Sequence, residues 1–247
     1  MMPELIRFAS QYDPAFPQKI RGAAPEEIAH LESLAGRKFP AVYREFLTRM
    51  GKSMGDVGYS DVNFSMGAMA RLHKNEDQEL NWPSQFLVIA EHEQDPYFNY
   101  FLDLNSMKEG DCRVVRFDIS LSTEGYNPKH IRPEAPSFTT LLFEMVFLSK
   151  HLARFPQHAS ATFSFPKLST QSPEPARVIE VFEKAATLLG FRKCSYSRPE
   201  HSMLERENAA IYGRGSRLGE VSVNISAQDA RELLRLRETL TDYAALH

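Results

Sequence analysis

LAGRKFPAVYREFLTRMG, residues 34–51, carries two glycines and one proline at positions that punctuate helices. Gly36 can take the left-handed conformation that ends a helix. Pro40 restarts the helical pattern, and Gly51 closes it. The apolar residues between them recur at helical spacing and form one stripe: Tyr43, Phe46, Leu47 and Met50. The spacing predicts a tight corner followed by a short helix with one face in a core.

The preceding residues, RGAAPEEIAHLES, predict the first helix of a pair. Pro25 suits the first helical position, and Glu26 and Glu27 place negative charge at the positive end of the helix dipole. The apolar stripe of this helix contains Ile28, Leu31, Leu34 and Ala35. Two helices therefore share one core.

The residues after the helix pair favour strands and then one more helix. QFLVIA (85–90), YFNYFLDL (97–104) and CRVVRFD (112–118) are short runs rich in aromatic and β-branched residues. Ser137 can cap a helix that follows. The order predicts an α+β domain over residues 1–154, with two helices, an antiparallel-rich sheet and a terminal helix.

The last third of the chain predicts a smaller α+β domain. Residues 155–176 are rich in Pro, Ser, Thr and Gln, a composition typical of a linker. Residues 177–247 then give the order helix–three strands–helix. The three strands are expected in FRKCSYS (191–197), ENAAIYG (207–213) and EVSVNIS (220–226).

Composition excludes several classes of protein. The 247 residues are 43% hydrophobic with a net charge of −3, whereas nucleic-acid binders are usually strongly basic. Cys112 and Cys194 lack metal-ligand spacing, which favours free thiols in a reducing compartment. No apolar run approaches the ~20 residues of a membrane helix. We expect a cytoplasmic protein with neither nucleic acid nor membrane as a direct partner.

Signatures of catalysis are missing from the sequence. There is no nucleophile elbow, P-loop or HExxH zinc motif, so we expect no enzyme, no cofactor and no metal. Gly213, Gly215 and Gly219 depart by one residue from the dinucleotide fingerprint and predict a hairpin turn instead. An enzyme remains the third alternative, and its site would require the strands to gather Arg192, Glu205, Glu207 and Arg214.

An acidic segment, EHEQDPYFN at residues 91–99, is the candidate contact surface. In an extended segment Glu91 and Glu93 point together and His92 points away, which does not favour a metal or catalytic site. The carboxylates, joined by others upstream, would concentrate negative potential on one rim: Glu76, Asp77, Glu79, Glu91, Glu93 and Asp95. Nearby aromatic residues can anchor a partner, since such residues often dominate interface energy: Tyr97, Phe98 and Tyr100. An ordinary solvated loop is the alternative.

The motifs along residues 20–150 carry a family likeness. The acidic helix, Gly36, Pro40, the aromatic helix and Gly51 are followed by NWPSQFLVIAEHEQDPYFNYFLDL, GDCRVVRFD and APSFTTLLFEMV in the same order. This series resembles the SUKH superfamily of bacterial immunity proteins, which also includes a yeast cell-wall synthesis regulator. The C-terminal third has no such likeness.

The resemblance implies an immunity protein that neutralises a cognate polymorphic or contact-dependent bacterial toxin by occluding its active site. A nuclease is one class of such toxin, and an acidic inhibitor would be steered toward a basic groove. The candidate toxin-binding residues are Glu76, Asp77, Glu91, His92, Glu93, Asp95 and Tyr97. The alternative is a non-catalytic regulatory or scaffold protein of the same superfamily. The identity of the toxin, the role of the C-terminal domain and the oligomeric state stay open.

Overall fold

A computed structural model describes residues 1–74, 82–95, 98–117, 131–169 and 173–246. The chain divides into two compact units, Met1–Val146 and Phe147–His247. Both units combine helices with antiparallel sheets, which confirms the α+β class. The elements of the N-terminal unit are α1 (Met2–Ser10), α2 (Phe16–Lys19), β1 (Ile20–Arg21), α3 (Pro25–Leu34), α4 (Ala41–Met50), β2 (Ser53–Met54), β3 (Val62–Asn63), α5 (Met66–Lys74), β4 (Phe86–His92), β5 (Tyr100–Asp103), β6 (Val114–Arg116), β7 (Arg132–Ala135) and α6 (Phe138–Val146).

The predicted helix pair is confirmed as α3 and α4. Gly36 has the left-handed φ of 65° that the corner requires, and α4 begins directly after Pro40. Tyr43 and Phe46 are buried and contact Phe138 of α6 edge-on, with ring centroids 5.6 and 5.2 Å away. The stripe on α4 therefore packs in the core of the N-terminal unit.

The main sheet of this unit has the order β3–β4–β5–β6–β7, with every pair antiparallel. The strands β5 and β6 lie within the runs predicted from the sequence, and β4 begins within its predicted run and continues two residues beyond it, to His92. Five consecutive residues of β4, from Phe86 to Ala90, are buried, so both faces of this strand are covered. The rings of Phe101 and Phe117 stack at 4.4 Å in the same core.

The start of α6 is held by two capping side chains. Ser137 Oγ accepts a hydrogen bond from the backbone N–H of Thr140 at 3.0 Å, which confirms the predicted cap. Asp111, before β6, adds a second cap because its carboxylate accepts hydrogen bonds from the backbone N–H groups of Phe138 (2.9 Å) and Thr139 (3.2 Å). The N–H of Phe138 also bonds the carbonyl oxygen of Cys112 at 2.9 Å, whereas the N–H of Thr139, one of the first donors of the helix, has Asp111 as its acceptor.

The C-terminal unit contains one five-stranded antiparallel sheet in the order β8–β12–β11–β10–β9. Its elements follow a π-helical turn (Phe147–His151) and a 3₁₀ turn (Leu152–Arg154), and they are β8 (Gln157–Ser164), α7 (Pro166–Ser169), α8 (Pro175–Leu188), β9 (Arg192–Lys193), β10 (His201–Arg206), β11 (Ala209–Gly215), β12 (Glu220–Ala227) and α9 (Ala230–Leu246). Helices α8 and α9 cover one face of the sheet, where Phe182 and Leu236 pack against Ile211 and Val223. Within the described ranges, no helix combines the length and the apolar composition needed to cross a bilayer.

The strands of this unit differ in two places from the sequence prediction. Residues 155–176, predicted as a linker, contain β8, which pairs with β12 over eight residues. The linker prediction was wrong because β8 alternates small polar side chains with Ala and Phe163, so its composition resembles that of a loop. In FRKCSYS only Arg192–Lys193 is strand, and the unpredicted β10 at His201–Arg206 supplies a longer one.

The glycine-rich segment forms the predicted hairpin between β11 and β12. Gly219, in the turn, has a φ of 75°. Gly215 lies so close to α8 that an added Cβ would stand 2.4 Å from the carbonyl oxygen of Pro175. These glycines serve a turn and a close helix–strand approach.

Candidate functional site

The end of β4 and the turn toward β5 bring together the predicted contact residues that the structure describes. Glu91 and His92 are the last residues of β4, and Glu93 and Asp95 lie in the turn with exposed side chains. The remaining predicted residues lie outside the described residues: Glu76, Asp77, Glu79 and Tyr97.

His92 connects two parts of this turn through its two ring nitrogens. Its Nδ1 accepts a hydrogen bond from the backbone N–H of Asp95 at 3.1 Å, and its Nε2 lies 3.2 Å from a carboxylate oxygen of Asp61. With Nδ1 as acceptor, the proton sits on Nε2 and faces the carboxylate. Both ring nitrogens are therefore engaged in holding the turn rather than in binding a partner directly.

The backbone of the turn is tied at three further points. Asn99, fully buried, accepts the backbone N–H of His92 on its side-chain oxygen at 2.9 Å. The N–H of Glu93 bonds the carbonyl oxygen of Asp61 at 2.8 Å, and the N–H of Phe98 bonds that of Asp95 at 2.9 Å. The exposed carboxylates of Glu93 and Asp95 thus lie on backbone whose described residues are held by several hydrogen bonds.

The acidic rim is paired with basic residues that the sequence prediction missed. Arg71 of α5 lies 3.4 Å from the carboxylate of Glu91. The guanidinium groups of Arg116 and Arg132 lie 4.3 and 4.9 Å from the ring centroid of Phe98. These contacts fit cation–π geometry. The surface therefore carries guanidinium groups as well as carboxylates.

The three predicted aromatic anchors have different outcomes. Phe98 is half-buried and held by the two arginines, so one part of its ring stays accessible. Tyr100 is only 3% exposed and its ring contacts Tyr59 and Phe64, so its prediction as an anchor was wrong. Burial is the main cause that raises the pKa of Tyr100 to about 12. Tyr97 lies outside the described residues.

The carboxylates and the histidine of the turn do not converge on one point. Glu91 contacts Arg71, His92 contacts Asp61, and Glu93 accepts a long hydrogen bond from Asn63 at 3.4 Å. In the part of the chain that the structure describes, no three His, Cys, Asp or Glu side chains are grouped closely enough to hold a metal ion.

The four residues considered for an enzymatic site in the C-terminal unit do not gather into one site. Arg192 and Glu205 pair across β9 and β10, with 3.7 Å between nitrogen and oxygen. Arg214 lies near the C-terminal end of β11. It lines a cavity of about 550 Å³ together with Tyr212 and Ser222. Of the described residues lining this cavity, Arg214 is the single member of the predicted quartet.

Residues 22–144 match the model of the SMI1/KNR4 family (SUKH-1). The match covers the helix pair, the sheet with the β4–β5 turn, and nearly all of α6. The N-terminal unit of this chain thus belongs to the SMI1/KNR4 family, and the match ends before the C-terminal unit begins.

Proposed function

We propose that this protein is an immunity protein that binds a cognate bacterial toxin through the β4–β5 turn. The observation that carries the proposal is the braced turn, which presents Glu93 and Asp95 to solvent beside the Arg-clamped ring of Phe98. Membership of the SMI1/KNR4 family supports a binding role of this kind.

The geometry suits tight one-to-one association. A surface already fixed in its binding conformation loses little conformational entropy when a partner docks. The exposed carboxylates attract a basic surface, such as the phosphate-binding groove of a nuclease, and speed its encounter. Phe98 supplies an aromatic contact, and Arg71, which is exposed beside Glu91, can pair with an acidic or polar group of the partner. Occlusion of the toxin's active site then neutralises it without any turnover.

Both cysteines fit action in the cytoplasm. Cys112 and Cys194 are free and buried. Free thiols are usual in a reducing compartment, where disulfides rarely persist. This protein would bind the toxin after the toxin has entered the cell.

The test is protection and binding against the toxin domain encoded by the adjacent gene, used in an inactivated form for affinity. We expect the wild-type protein to protect cells and to bind one-to-one. The double variant Glu93→Lys with Asp95→Lys should weaken binding about tenfold or more and flatten its dependence on salt. The control, Glu238→Lys with Asp242→Lys on the exposed face of α9, makes the same charge change in the other unit and should leave binding unaltered.

Two results would contradict the proposal. One is equal affinity for the turn variant and the wild type, which would remove the turn from the interface. The other is failure to protect against every neighbouring candidate toxin together with capture of several partners at modest affinity. That second result would favour the regulatory or scaffold alternative.

A further inference from the structure

The edge strands of the two five-stranded sheets are protected unequally. Natural proteins guard sheet edges with short strands, charged residues, proline or bulges, because an unguarded edge pairs with another chain. In the N-terminal unit, β3 has two residues and β7 carries Arg132, Pro133 and Glu134. In the C-terminal unit, β9 consists of Arg192 and Lys193 alone. Three of these four edges are therefore guarded.

The fourth edge, β8, has none of these devices. Its eight residues, QHASATFS, include no Lys, Arg, Asp, Glu or Pro. Its register with β12 is continuous from Gln157 to Ser164, without a bulge. An unbroken, uncharged edge of this length is a template for a further strand.

The hydrogen-bond pattern shows which groups of β8 face outward. The N–H of Phe165 bonds the carbonyl oxygen of Gly219, so residues 163, 161, 159 and 157 form the hydrogen-bonded pairs with β12. The N–H of Ser216, just after β11, bonds the carbonyl oxygen of Glu220. Residue 220 of β12 therefore bonds on the β11 side and residue 221 on the β8 side, as the alternation along β12 requires. The outward N–H and C=O groups therefore belong to the alternate residues His158, Ser160, Thr162 and Ser164.

These four residues are also accessible. All four side chains are exposed and lie on the face of the sheet opposite to α8 and α9. Among the described residues, β8 pairs with β12 alone. Each of the four residues offers one donor and one acceptor that no strand among the described residues takes up.

We propose that two copies of this chain associate through antiparallel pairing of their β8 strands. Because only even-numbered residues face outward, a symmetric pairing centred on Ala161 places Ser160 opposite Thr162 of the second copy. The same symmetry places His158 opposite Ser164. Each of the four residues then exchanges two hydrogen bonds with its partner. The C-terminal sheets of the two copies become one continuous sheet of ten strands.

The chemistry of β8 favours a second copy as the occupant. Thr–Ser pairs are favourable across strands, and β8 has no acidic or lysine side chain to oppose its own copy. A strand that paired with a chemically different partner would gain specificity from charged side chains, and none of the outward positions of β8 carries Lys, Arg, Asp or Glu. The two-fold axis stands perpendicular to the sheet, so α9 of both copies lies on the same side.

Sedimentation velocity of the full-length chain over micromolar concentrations tests this pairing. We expect the wild type to reach twice the chain mass of 28.2 kDa. In the variant Ser160→Lys with Thr162→Lys, a lysine of one copy lies opposite a lysine of the other at two places. This repulsion should weaken dimerisation about tenfold or more. Its matched control, Ser160→Lys with Thr162→Glu, puts opposite charges in the same places and should keep the dimer.

Thr162→Pro provides a second test, because it removes an outward N–H that the monomer does not use. We expect a folded monomer, with an unchanged circular dichroism spectrum. A wild type that stays monomeric, a proline variant that dimerises normally, or equal behaviour of the Lys/Lys and Lys/Glu variants would each overturn the proposal. A monomeric wild type whose complex with another protein is lost in Thr162→Pro would assign the edge to a foreign strand instead.

Discussion

The carboxylate of Glu32, in α3, accepts a hydrogen bond from the backbone N–H of Phe39 at 3.0 Å and closes the corner before α4. Glu32 is only 3% exposed. Its charge is compensated by Lys38 Nζ at 2.8 Å and Arg44 Nε at 3.4 Å. The corner between the two helices thus depends on an anionic side chain as well as on Gly36 and Pro40.

Replacing Glu32 should therefore weaken the fold. Glu32→Ala leaves the N–H of Phe39 without its acceptor, and we expect the free energy of unfolding to fall by about 1–3 kcal/mol in urea titrations. Lys38→Ala is the control, because the Lys38 side chain is 79% exposed and an exposed ion pair contributes less than about 1 kcal/mol. Equal losses in the two variants would show that the hydrogen bond to Phe39 is unimportant.

The same carboxylate should make stability depend on pH. Burial alone would raise the pKa of Glu32, but hydrogen bonds from Lys38 and Phe39 and the charge of Arg44 outweigh it and hold the pKa below the ordinary value of 4.5. A carboxyl group with a lowered pKa in the folded state stabilises above its unfolded pKa, and this contribution is lost as the pH falls through the lowered value.

Glu32→Gln is the variant that isolates this effect, since glutamine has a similar size and no charge. We expect the difference in unfolding free energy between wild type and Glu32→Gln to be constant above pH 4.5 and to shrink as the pH falls below it. Urea titrations at several pH values measure the difference. A difference that grows in acid would contradict the assignment.

The Asp111 cap should stabilise α6 more than a surface residue does. Asp111→Ala removes the acceptor of the Thr139 N–H and one of the two acceptors of the Phe138 N–H, and we expect a loss of about 1–2 kcal/mol in unfolding free energy. Asp242→Ala, an exposed aspartate on α9, serves as the control and should change stability by no more than about 0.5 kcal/mol. A loss in Asp111→Ala no larger than in this control would mean that Ser137 alone caps the helix.

Two glycines of the N-terminal unit should respond differently to alanine. An added Cβ on Gly22 would stand 1.8 Å from the carbonyl oxygen of Thr48, so Gly22→Ala requires a backbone shift and should cost about 3 kcal/mol or more. Gly36 has open space around its Cβ position, and Gly36→Ala should cost only the roughly 1–2 kcal/mol of a left-handed residue. Thermal unfolding of both variants measures the contrast, and a reversed order would refute the steric argument.

The brace at the β4–β5 turn can be examined by amide hydrogen exchange. His92→Ala removes the acceptor for the N–H of Asp95, and we expect that amide to exchange roughly 2–10 times faster. Glu93→Ala is the control, because its side chain does not contact this N–H. Unchanged exchange in His92→Ala would show that the turn is held by its other hydrogen bonds alone.

Local signals explain which parts of the N-terminal fold the sequence predicts. Gly36, Pro40 and the stripe on α4 act within a few residues of each other, so the helix pair follows from the sequence alone. The Ser137 cap is similarly local. The second cap on the same helix comes from Asp111, 27 residues away from Phe138, and no short-range pattern indicates it.

The candidate site was predictable in its acidic half. Glu91, Glu93 and Asp95 lie within five residues of each other, so the sequence shows them as one segment. Arg116 and Arg132 belong to β6 and β7, and the pairing of strands in the sheet brings them to Phe98. The burial of Tyr100 depends on the same long-range pairing. Strand β8 escaped prediction because its strand character comes from pairing with β12, about 60 residues later, and from no propensity of its own.

The capping of α6 by Asp111 has a practical consequence for engineering. The backbone pairing of Arg116 at the end of β6 with Arg132 at the start of β7 holds together the two ends of the connection between these strands, and Asp111 separately fixes the start of α6. For loops in general, doubling the length costs only about 0.6 kcal/mol in closure entropy. An epitope tag or a fluorescent reporter inserted between β6 and β7 should therefore leave the domain folded and the β8 edge untouched.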